Sequence, residues 1–317
     1  MGKEALSKAF SEMILEEAKK DRDIIVVCTD SRGSAKLGSY PEELPEQFVE
    51  MGIAEQNSVT VSAGMAYMGK KVFIMGPASF YSSRAAEQIK VDVAYSHNNV
   101  TVIGISGGIS YGALGATHHS VQDIALMRAI PGLTVLIPSD GVQMKKITKE
   151  LLKNPRPAYI RVGRNPVPVL YDETSSIEIG KANWLKNGKD MGIIACGQLV
   201  HTALEVAEDL EKEGIYISVV DMHTIKPFDT QAVQEMAEKC GSILTLEEHS
   251  VYGGLGGRVA EAVSKMDPVP VYICGIPDED VPNGTDQEVF HYYGMDTDGL
   301  KEKIRKILQK NKKTMTA

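Results

Sequence analysis

The sequence is poor in cysteine and has no long apolar run. Its four cysteines, Cys28, Cys196, Cys240 and Cys274, are scattered over 317 residues and form no Cys-x-x-Cys pair. Three of them lie in or beside apolar, strand-like segments, which favours buried thiols in a reducing compartment over disulfides or zinc. No apolar run approaches the ~18 residues of a transmembrane helix, and the start lacks a signal-peptide core. We therefore expect a cytoplasmic protein.

Positive charge is also scarce. Lysine and arginine number 34 against 42 aspartate and glutamate residues, which gives a net charge of -8 and a pI near 5.5. The one cationic concentration, residues 301–313, predicts an amphipathic helix with a solvated face. This balance argues against a surface for nucleic acid or membrane.

Short apolar runs alternate with helical segments along the chain. The runs typical of buried parallel strands lie at 24–28, 71–76, 99–106, 134–138 and 158–162, and the pattern restarts over 191–276. This alternation predicts an α/β fold with two doubly wound, mainly parallel-sheet domains. Prolines between 155 and 168 and a polar run at 172–176 mark the boundary. We expect a first domain over 1–170, a linker over 171–188 and a second domain over 189–317.

A single acidic residue stands within an otherwise apolar segment. Between Glu50 and Lys70 the only charge is Glu55, and small or apolar residues surround it. Because these residues occupy several faces of a helix over 51–69, we expect that helix to be buried nearly all round. A lone buried carboxylate is costly unless it has a partner, so Glu55 is a candidate site residue. The alternative is a first-turn acid that only stabilises its own helix.

Two histidines lie in a glycine-rich loop that leads into a helix. Adjacent side chains such as His118 and His119 point in different directions, so we expect no joint metal site. His118 suits hydrogen bonding to a substrate oxygen or proton transfer, against the alternative of an exposed loop histidine.

Other candidates follow predicted strand ends, where α/β proteins bind ligands. Phe80 can stack on a flat heterocycle or pack in the core. Arg161 and Arg164 suit a phosphate or carboxylate, or else interdomain salt bridges. The segment GGLGGR at 253–258 resembles an anion-binding loop, but it lacks the established spacings, and we favour close packing of a helix on a sheet.

Taken together, these segments resemble the transketolase family of thiamine diphosphate enzymes. The resemblance covers nearly the whole chain in order and rests on GIAEQN (52–57), SF…RAAEQI (79–89), GATHHSVQDIALMRAIPGLTVLIPSD (115–140), IRVGRNPVP (160–168), VDMHTIKPFD (220–229) and LEEHSVYGGLGGRVAEA (246–262). It implies a pyrimidine-binding domain, a transketolase C-terminal domain and thiamine diphosphate as cofactor. The implied activity transfers a two-carbon ketol unit from a ketose (phosphate) to an aldose acceptor through a thiamine diphosphate adduct.

The resemblance also implies roles for five residues. Glu55 corresponds to the glutamate that hydrogen-bonds the 1′ nitrogen of the aminopyrimidine, and Phe80 to the ring stacked on it. His118 corresponds to the histidine that contacts the ketose hydroxyl and carbonyl oxygens. Ser34 and Arg164 match positions that hold the sugar phosphate.

Four positions depart from the family pattern. Pro77 replaces a second pyrimidine-facing aromatic, and Leu114 replaces an aspartate that reads a substrate hydroxyl. Ser7 and Ser106 stand where an arginine and a histidine commonly contact phosphate. Losing a hydroxyl reader changes selectivity strongly, so the sugar and its anionic tail stay open. Two alternatives also stay open: an enzyme subunit like deoxyxylulose-phosphate synthase or the β-type subunit of 2-oxo-acid dehydrogenases, and a non-catalytic interaction subunit.

One family motif is missing. The Gly-Asp-Gly…Asn-Asn pattern binds the diphosphate through Mg²⁺, and no Gly-Asp-Gly occurs in this sequence. The resemblance therefore implies the C-terminal subunit of a split transketolase, without a complete active site of its own. We expect a partner chain to supply the diphosphate and Mg²⁺ contacts, in a heterotetramer with the cofactor at the subunit interface.

Overall fold

A computed structural model describes residues 2–266 and 268–315. The strands, β1 to β14 in chain order, are Lys3–Glu4, Ile24–Cys28, Phe48–Glu50, Lys71–Pro77, Val100–Ile105, Thr134–Leu136, Ala158–Arg161, Val167–Pro168, Asn183–Lys186, Met191–Ala195, Ile217–Asp221, Thr224–Lys226, Ile243–Ser250 and Val271–Ile276. The helices, α1 to α13, are Leu6–Ala18, Arg32–Ala35, Tyr40–Glu43, Glu55–Tyr67, Ala78–Ser83, Ala86–Gln88, Asp123–Ala129, Gly141–Lys153, Leu199–Glu211, Thr230–Cys240, Leu255–Val263, Asp286–Tyr292 and Thr297–Met315. Short 3₁₀ helices span Pro45–Gln47 and Gly112–Thr117, and a π-helix spans Ile89–Tyr95.

The larger sheet has the strand order β12–β6–β7–β5–β4–β2–β3. Its strands are parallel except for the edge strand β12, which pairs antiparallel with β6. Along β4, Val72 and Ile74 enter one apolar core, while Phe73 and Met75 enter the other. Helices α1 and α8 contribute to the second core, and α4 and α7 to the first. Because both faces are covered, the central strands are continuously apolar rather than alternating.

The second sheet has the order β14–β13–β10–β11–β9 and is parallel except for its edge strand β9. The predicted α/β fold with two mainly parallel sheets is confirmed. The domain boundaries stay a prediction, and β12 crosses them: residues 224–226 follow β11 of the second sheet in the chain but pair with the first sheet. All four cysteines are buried and free, as expected.

The expectation of a helix buried nearly all round at 51–69 is wrong for this chain. Helix α4 buries only one face, which carries Glu55, Ser58, Val59, Ser62 and Ala63. Apolar side chains on and beside its other face are open to solvent, among them Ile53 (74% exposed), Val61 (37%) and Met68 (78%). Apolar character on several faces indicates that a helix is covered, but it does not tell whether its own chain covers it.

A buried carboxylate joins the two sheets and the linker between them. One oxygen of Asp221, Oδ2, accepts hydrogen bonds from Ser139 Oγ (2.8 Å), Gln143 Nε2 (2.9 Å) and Tyr171 OH (2.7 Å). Burial raises the pKa of Asp221 to about 6, although these hydrogen bonds oppose the rise. Donors from two separate segments, 139–143 and the linker residue Tyr171, therefore compensate the charge of Asp221 and fix both segments relative to β11.

We expect Tyr171→Phe to lower the free energy of unfolding by about 1–2 kcal/mol, because it removes one hydrogen bond to a buried carboxylate. Urea titration followed by circular dichroism measures the change. Tyr216→Phe is the control, since Tyr216 is 44% exposed. An unchanged midpoint for Tyr171→Phe would show that this hydrogen bond contributes nothing to stability.

Candidate active site

A buried carboxylate at the start of α4 pairs with a partly exposed arginine. Glu55 is 1% exposed, and its Oε2 accepts a hydrogen bond from Arg84 NH1 at 2.5 Å. The Arg84 guanidinium also lies over the ring of Phe80, with Cζ 4.6 Å from the centroid. Phe80 belongs to α5, and Arg84 follows the end of that helix, four residues later. This spacing places the aromatic ring and the cation on the same side of the helix.

The contacts continue from Phe80 to the glycine-rich loop. The ring of Phe80 meets that of His118 edge-on, with centroids 5.2 Å apart, and His118 meets Tyr111 at 5.3 Å. The guanidinium of Arg164 lies over Tyr111, 5.1 Å from its centroid. We call these six residues, Glu55, Arg84, Phe80, His118, Tyr111 and Arg164, the site row.

The site row lies at the edge of the first sheet where its parallel strands end. Its members come from the segments after β3, β4, β5 and β7, so four separate connections meet at one edge, as in other α/β binding sites. Four predicted candidates, Glu55, Phe80, His118 and Arg164, are thereby brought together. Arg84 and Tyr111 were not singled out from the sequence, although a cation four residues after an aromatic is a recognisable pattern for Arg84.

The remaining predicted contact, Ser34, and the four positions that depart from the family pattern are not members of the site row. Ser34 is half-buried on α2, and no hydrogen bond of the described residues joins it to the site row, so its phosphate role stays a prediction. Ser7 and Ser106 are 3% and 2% exposed, so neither hydroxyl faces solvent. Leu114 is 54% exposed on the loop before His118, and Pro77 is buried at the end of β4.

Residues of the second domain hold the loop that carries His118. The carboxylate of Glu248 accepts hydrogen bonds from the Ile109 backbone N–H (2.8 Å) and from Gln198 Nε2 (2.7 Å). Gly108 has φ +66°, and a Cβ there would lie 2.2 Å from the Glu248 carboxyl carbon. Glycine is therefore required at this position by close approach of the other domain.

Beneath this loop one guanidinium faces two buried carboxylates. Arg161 Nε lies 3.3 Å from Asp123 Oδ2, and its NH2 lies 3.7 Å from Glu248 Oε2 and donates to the Glu248 carbonyl at 2.6 Å. Tyr159 OH also donates to Asp123 Oδ2, at 2.8 Å. Burial raises the pKa of Glu248 to about 7, and the charge of Arg161 only partly offsets the rise. Of the two alternatives for Arg161, the structure shows the interdomain salt bridge.

Backbone N–H groups of the GGLGGR segment bind a carboxylate of the protein itself, that of Glu247. The carboxylate of Glu247 accepts from the backbone N–H groups of Leu255 (2.6 Å) and Gly256 (2.7 Å), at the start of α11. A Cβ on Gly256 would lie 2.5 Å from the side chain of Ile273. The favoured interpretation, close packing of a helix on a sheet, is confirmed.

His119 does not join the site row. It is 5% exposed, its Nε2 lies 3.2 Å from the Gly112 carbonyl, and burial lowers its pKa. Within 2–266 and 268–315, no three histidine, cysteine, aspartate or glutamate side chains are grouped to hold a metal ion. Nor does any helix in these ranges have the length and apolarity needed to cross a membrane.

Comparison with known proteins identifies the family. The family described as "Transketolase, pyrimidine binding domain" matches residues 3–169, and "Transketolase, C-terminal domain" matches residues 180–300. The chain belongs to the transketolase family. This confirms the resemblance drawn from the sequence.

Two transketolase subunits and one solved split transketolase match over most of their own length. The chain is 50% identical over 297 residues to an apulose-4-phosphate transketolase subunit of Phocaeicola vulgatus, covering 93% of this chain and 95% of the relative. It is 36% identical to a 6-deoxy-6-sulfo-D-fructose transketolase subunit of Clostridium sp. (strain MSTE9), covering 94% and 89%. A solved split gene transketolase, described as an inactive beta4 tetramer, superposes with a TM-score of 0.86 at 35% identity, covering 97% and 99%.

Transketolases depend on thiamine diphosphate, and the site row fits its aminopyrimidine. The buried carboxylate of Glu55 and the half-buried ring of Phe80 both contact the same side chain, that of Arg84, which is 45% exposed. A flat, nitrogen-rich heterocycle needs these two contacts, a ring face and a hydrogen-bonding acid.

We expect Glu248→Gln to reduce the pH dependence of stability. The folded-state pKa of Glu248, about 7, lies above the ordinary 4.5. The unfolded chain therefore loses this proton first as pH rises, and the native protein loses stability between about pH 4.5 and 7, by on the order of 1–3 kcal/mol. Glutamine has no such proton, so the loss attributable to Glu248 should disappear while that from Asp221 and Glu247 remains.

Urea midpoints at pH 5, 6, 7 and 8 measure this slope. The exposed Glu208 provides the matched control, Glu208→Gln. Parallel curves for the native protein and Glu248→Gln would show that Glu248 keeps an ordinary ionisation in the folded state.

Proposed function

We propose that this chain is the C-terminal subunit of a split transketolase and that, with a partner, it transfers a two-carbon ketol unit from a ketose to an aldose. One observation carries the proposal: the contact of Phe80 with His118, which joins the ring beside the buried Glu55 to the histidine loop. A pyrimidine-binding acid and a substrate-binding histidine thereby belong to one site.

Within this site each residue has a separate task. Bound thiamine diphosphate supplies the thiazolium that stabilises the carbanion of the transferred unit. Glu55 hydrogen-bonds the 1′ nitrogen of the aminopyrimidine and holds it in the proton-accepting tautomer, while Phe80 supports the ring face. His118 has Nδ1 2.9 Å from Thr117 Oγ1, which leaves Nε2 to exchange a proton with a ketose hydroxyl or carbonyl oxygen.

The substrate proposal is based on the positive charge of Arg164, the last residue of the site row. Arg164 is exposed and stacked on Tyr111, so its guanidinium is oriented and open to an anion. We assign the phosphate, or another anionic tail, to Arg164 and Ser34. Ser7 and Ser106 are too buried to take part, and the exposed Leu114 presents an apolar surface where the family commonly reads a hydroxyl.

The partner proposal follows the solvent-exposed face of α4. Ile53, Met68 and Tyr67 are 74%, 78% and 81% exposed, next to the helix that begins with Glu55. Large apolar side chains exposed at both ends of one helix are typical of a surface that another protein covers. We propose that the partner covers it, carries the Gly-Asp-Gly…Asn-Asn motif with its Mg²⁺, and forms a heterotetramer with this chain.

We expect no ketol transfer from this chain purified alone with thiamine diphosphate and Mg²⁺, and transfer once the partner is added. In the complex, Glu55→Gln should lower kcat by about 10²–10⁴-fold, the usual effect of removing a proton-transfer group. A coupled assay of aldose extension measures both, with Glu208→Gln as control. Turnover by the chain alone would refute the split site, and a fully active Glu55→Gln complex would favour the non-catalytic alternative.

The donor substrate distinguishes ketol transfer from the synthase-like alternative. Hydroxypyruvate gives a ketol unit, whereas pyruvate gives the 1-deoxy product of deoxyxylulose-phosphate-type chemistry. We expect the assembled complex to use hydroxypyruvate and not pyruvate, with products identified by mass spectrometry. A 1-deoxy ketose formed from pyruvate would support the alternative.

A further inference from the structure

We propose that Arg84 is an internal substitute for the aminopyrimidine. In the chain without cofactor its guanidinium takes the Phe80 ring face and the Glu55 carboxylate, and it leaves both when the cofactor binds. This inference rests on the proposed function, because it takes Glu55 and Phe80 as the pyrimidine contacts.

The geometry of Arg84 matches that of a bound heterocycle in two respects. Its NH1 donates to Glu55 Oε2 at 2.5 Å, and its Cζ lies 4.6 Å from the centroid of Phe80. A guanidinium is planar and carries N–H donors in its plane, as a protonated or amino-substituted pyrimidine does. An aminopyrimidine that stacks on this ring face and bonds this oxygen takes the place of the guanidinium.

Electrostatics explains why a substitute is needed. Glu55 is 1% exposed, and a buried carboxylate without a partner is strongly destabilising. Among the described residues, Arg84 alone forms a hydrogen bond or ion pair with this carboxylate. The chain therefore needs Arg84 until a ligand supplies another donor to Glu55.

Arg84 is also placed so that it can leave. Its side chain is 45% exposed and follows the end of α5, so rotation into solvent needs no movement of the backbone. Arg161 provides the contrast: its side chain is 5% exposed and bridges two carboxylates, as expected of a permanent ion pair. The opposing hypothesis is that Arg84 is permanent too and stays on Glu55 in the loaded enzyme.

The two hypotheses predict opposite changes in affinity. Arg84→Met keeps a long side chain but removes the charge and the donors. If Arg84 competes with the ligand, the variant should bind thiamine diphosphate in the partner complex at least about tenfold more tightly, because a competent state populated at ~0.1–10% lowers apparent affinity by that fraction. Isothermal titration calorimetry with Mg²⁺ present measures the dissociation constant independently of turnover.

A pyrimidine probe tests the isolated chain. Saturation-transfer NMR with 4-amino-5-hydroxymethyl-2-methylpyrimidine should show stronger binding to Arg84→Met than to the native chain. The urea midpoint of the variant without ligand should fall, because Glu55 then lacks its cation. If Arg84→Met does not fold, Arg84→Lys keeps a cation without the planar fork and should show a smaller gain in affinity.

The matched control is Arg258→Met. Arg258 also combines a ring and an acid, with Cζ 4.5 Å from the Phe228 centroid and NH1 3.8 Å from Glu261 Oε2, but it lies in the second domain. Its substitution should leave both affinities unchanged. Unchanged or weaker cofactor binding by the Arg84 variants would overturn the proposal. If Glu55→Gln loses activity in that case, only the substitute role fails; if Glu55→Gln keeps full activity, the proposed function fails as well.

Discussion

The compensation of one buried carboxylate organises the site. Glu55 lies at the start of a helix that buries one face against its own domain, and the low-dielectric surroundings oblige its charge to have a partner. Arg84 meets that requirement and extends it to Phe80, from which ring contacts continue through His118 to Tyr111 and Arg164. The ion pair of Glu55 is thus connected, contact by contact, to an aromatic ring, a histidine and an exposed cation.

The second domain takes part in this geometry although it contributes no member of the site row. Glu248 fixes the loop of His118 through Ile109, and Arg161 links Glu248 to Asp123 beneath it. At a second joint, Asp221 gathers donors from the first domain and the linker. Both joints use buried carboxylates, so a small shift between domains would leave charges unpaired, and the relative position of the domains is held.

Apolar runs predicted the longer parallel strands well and the short edge strands poorly. The strand predicted at 24–28 has those bounds in the structure, and the run at 71–76 forms β4, Lys71–Pro77. The edge strands β9 and β12 escaped prediction, because they are short and antiparallel and only one side is paired. Composition also gave a wrong prediction for α4: it predicted burial on nearly all faces, whereas the chain by itself leaves one face uncovered.

By itself the sequence determined the alternation of strands and helices, the family, and four members of the site row, because these depend on local composition and on motifs that stay contiguous in the chain. Only the tertiary structure decided that Arg84 pairs with Glu55, that Tyr111 links His118 to Arg164, and that the glycine-rich loops fit carboxylates of the protein itself. Such pairings join residues as far apart as Ile109 and Glu248, 139 positions along the chain. Their partners are selected by packing and charge in three dimensions, which spacing in one dimension does not specify.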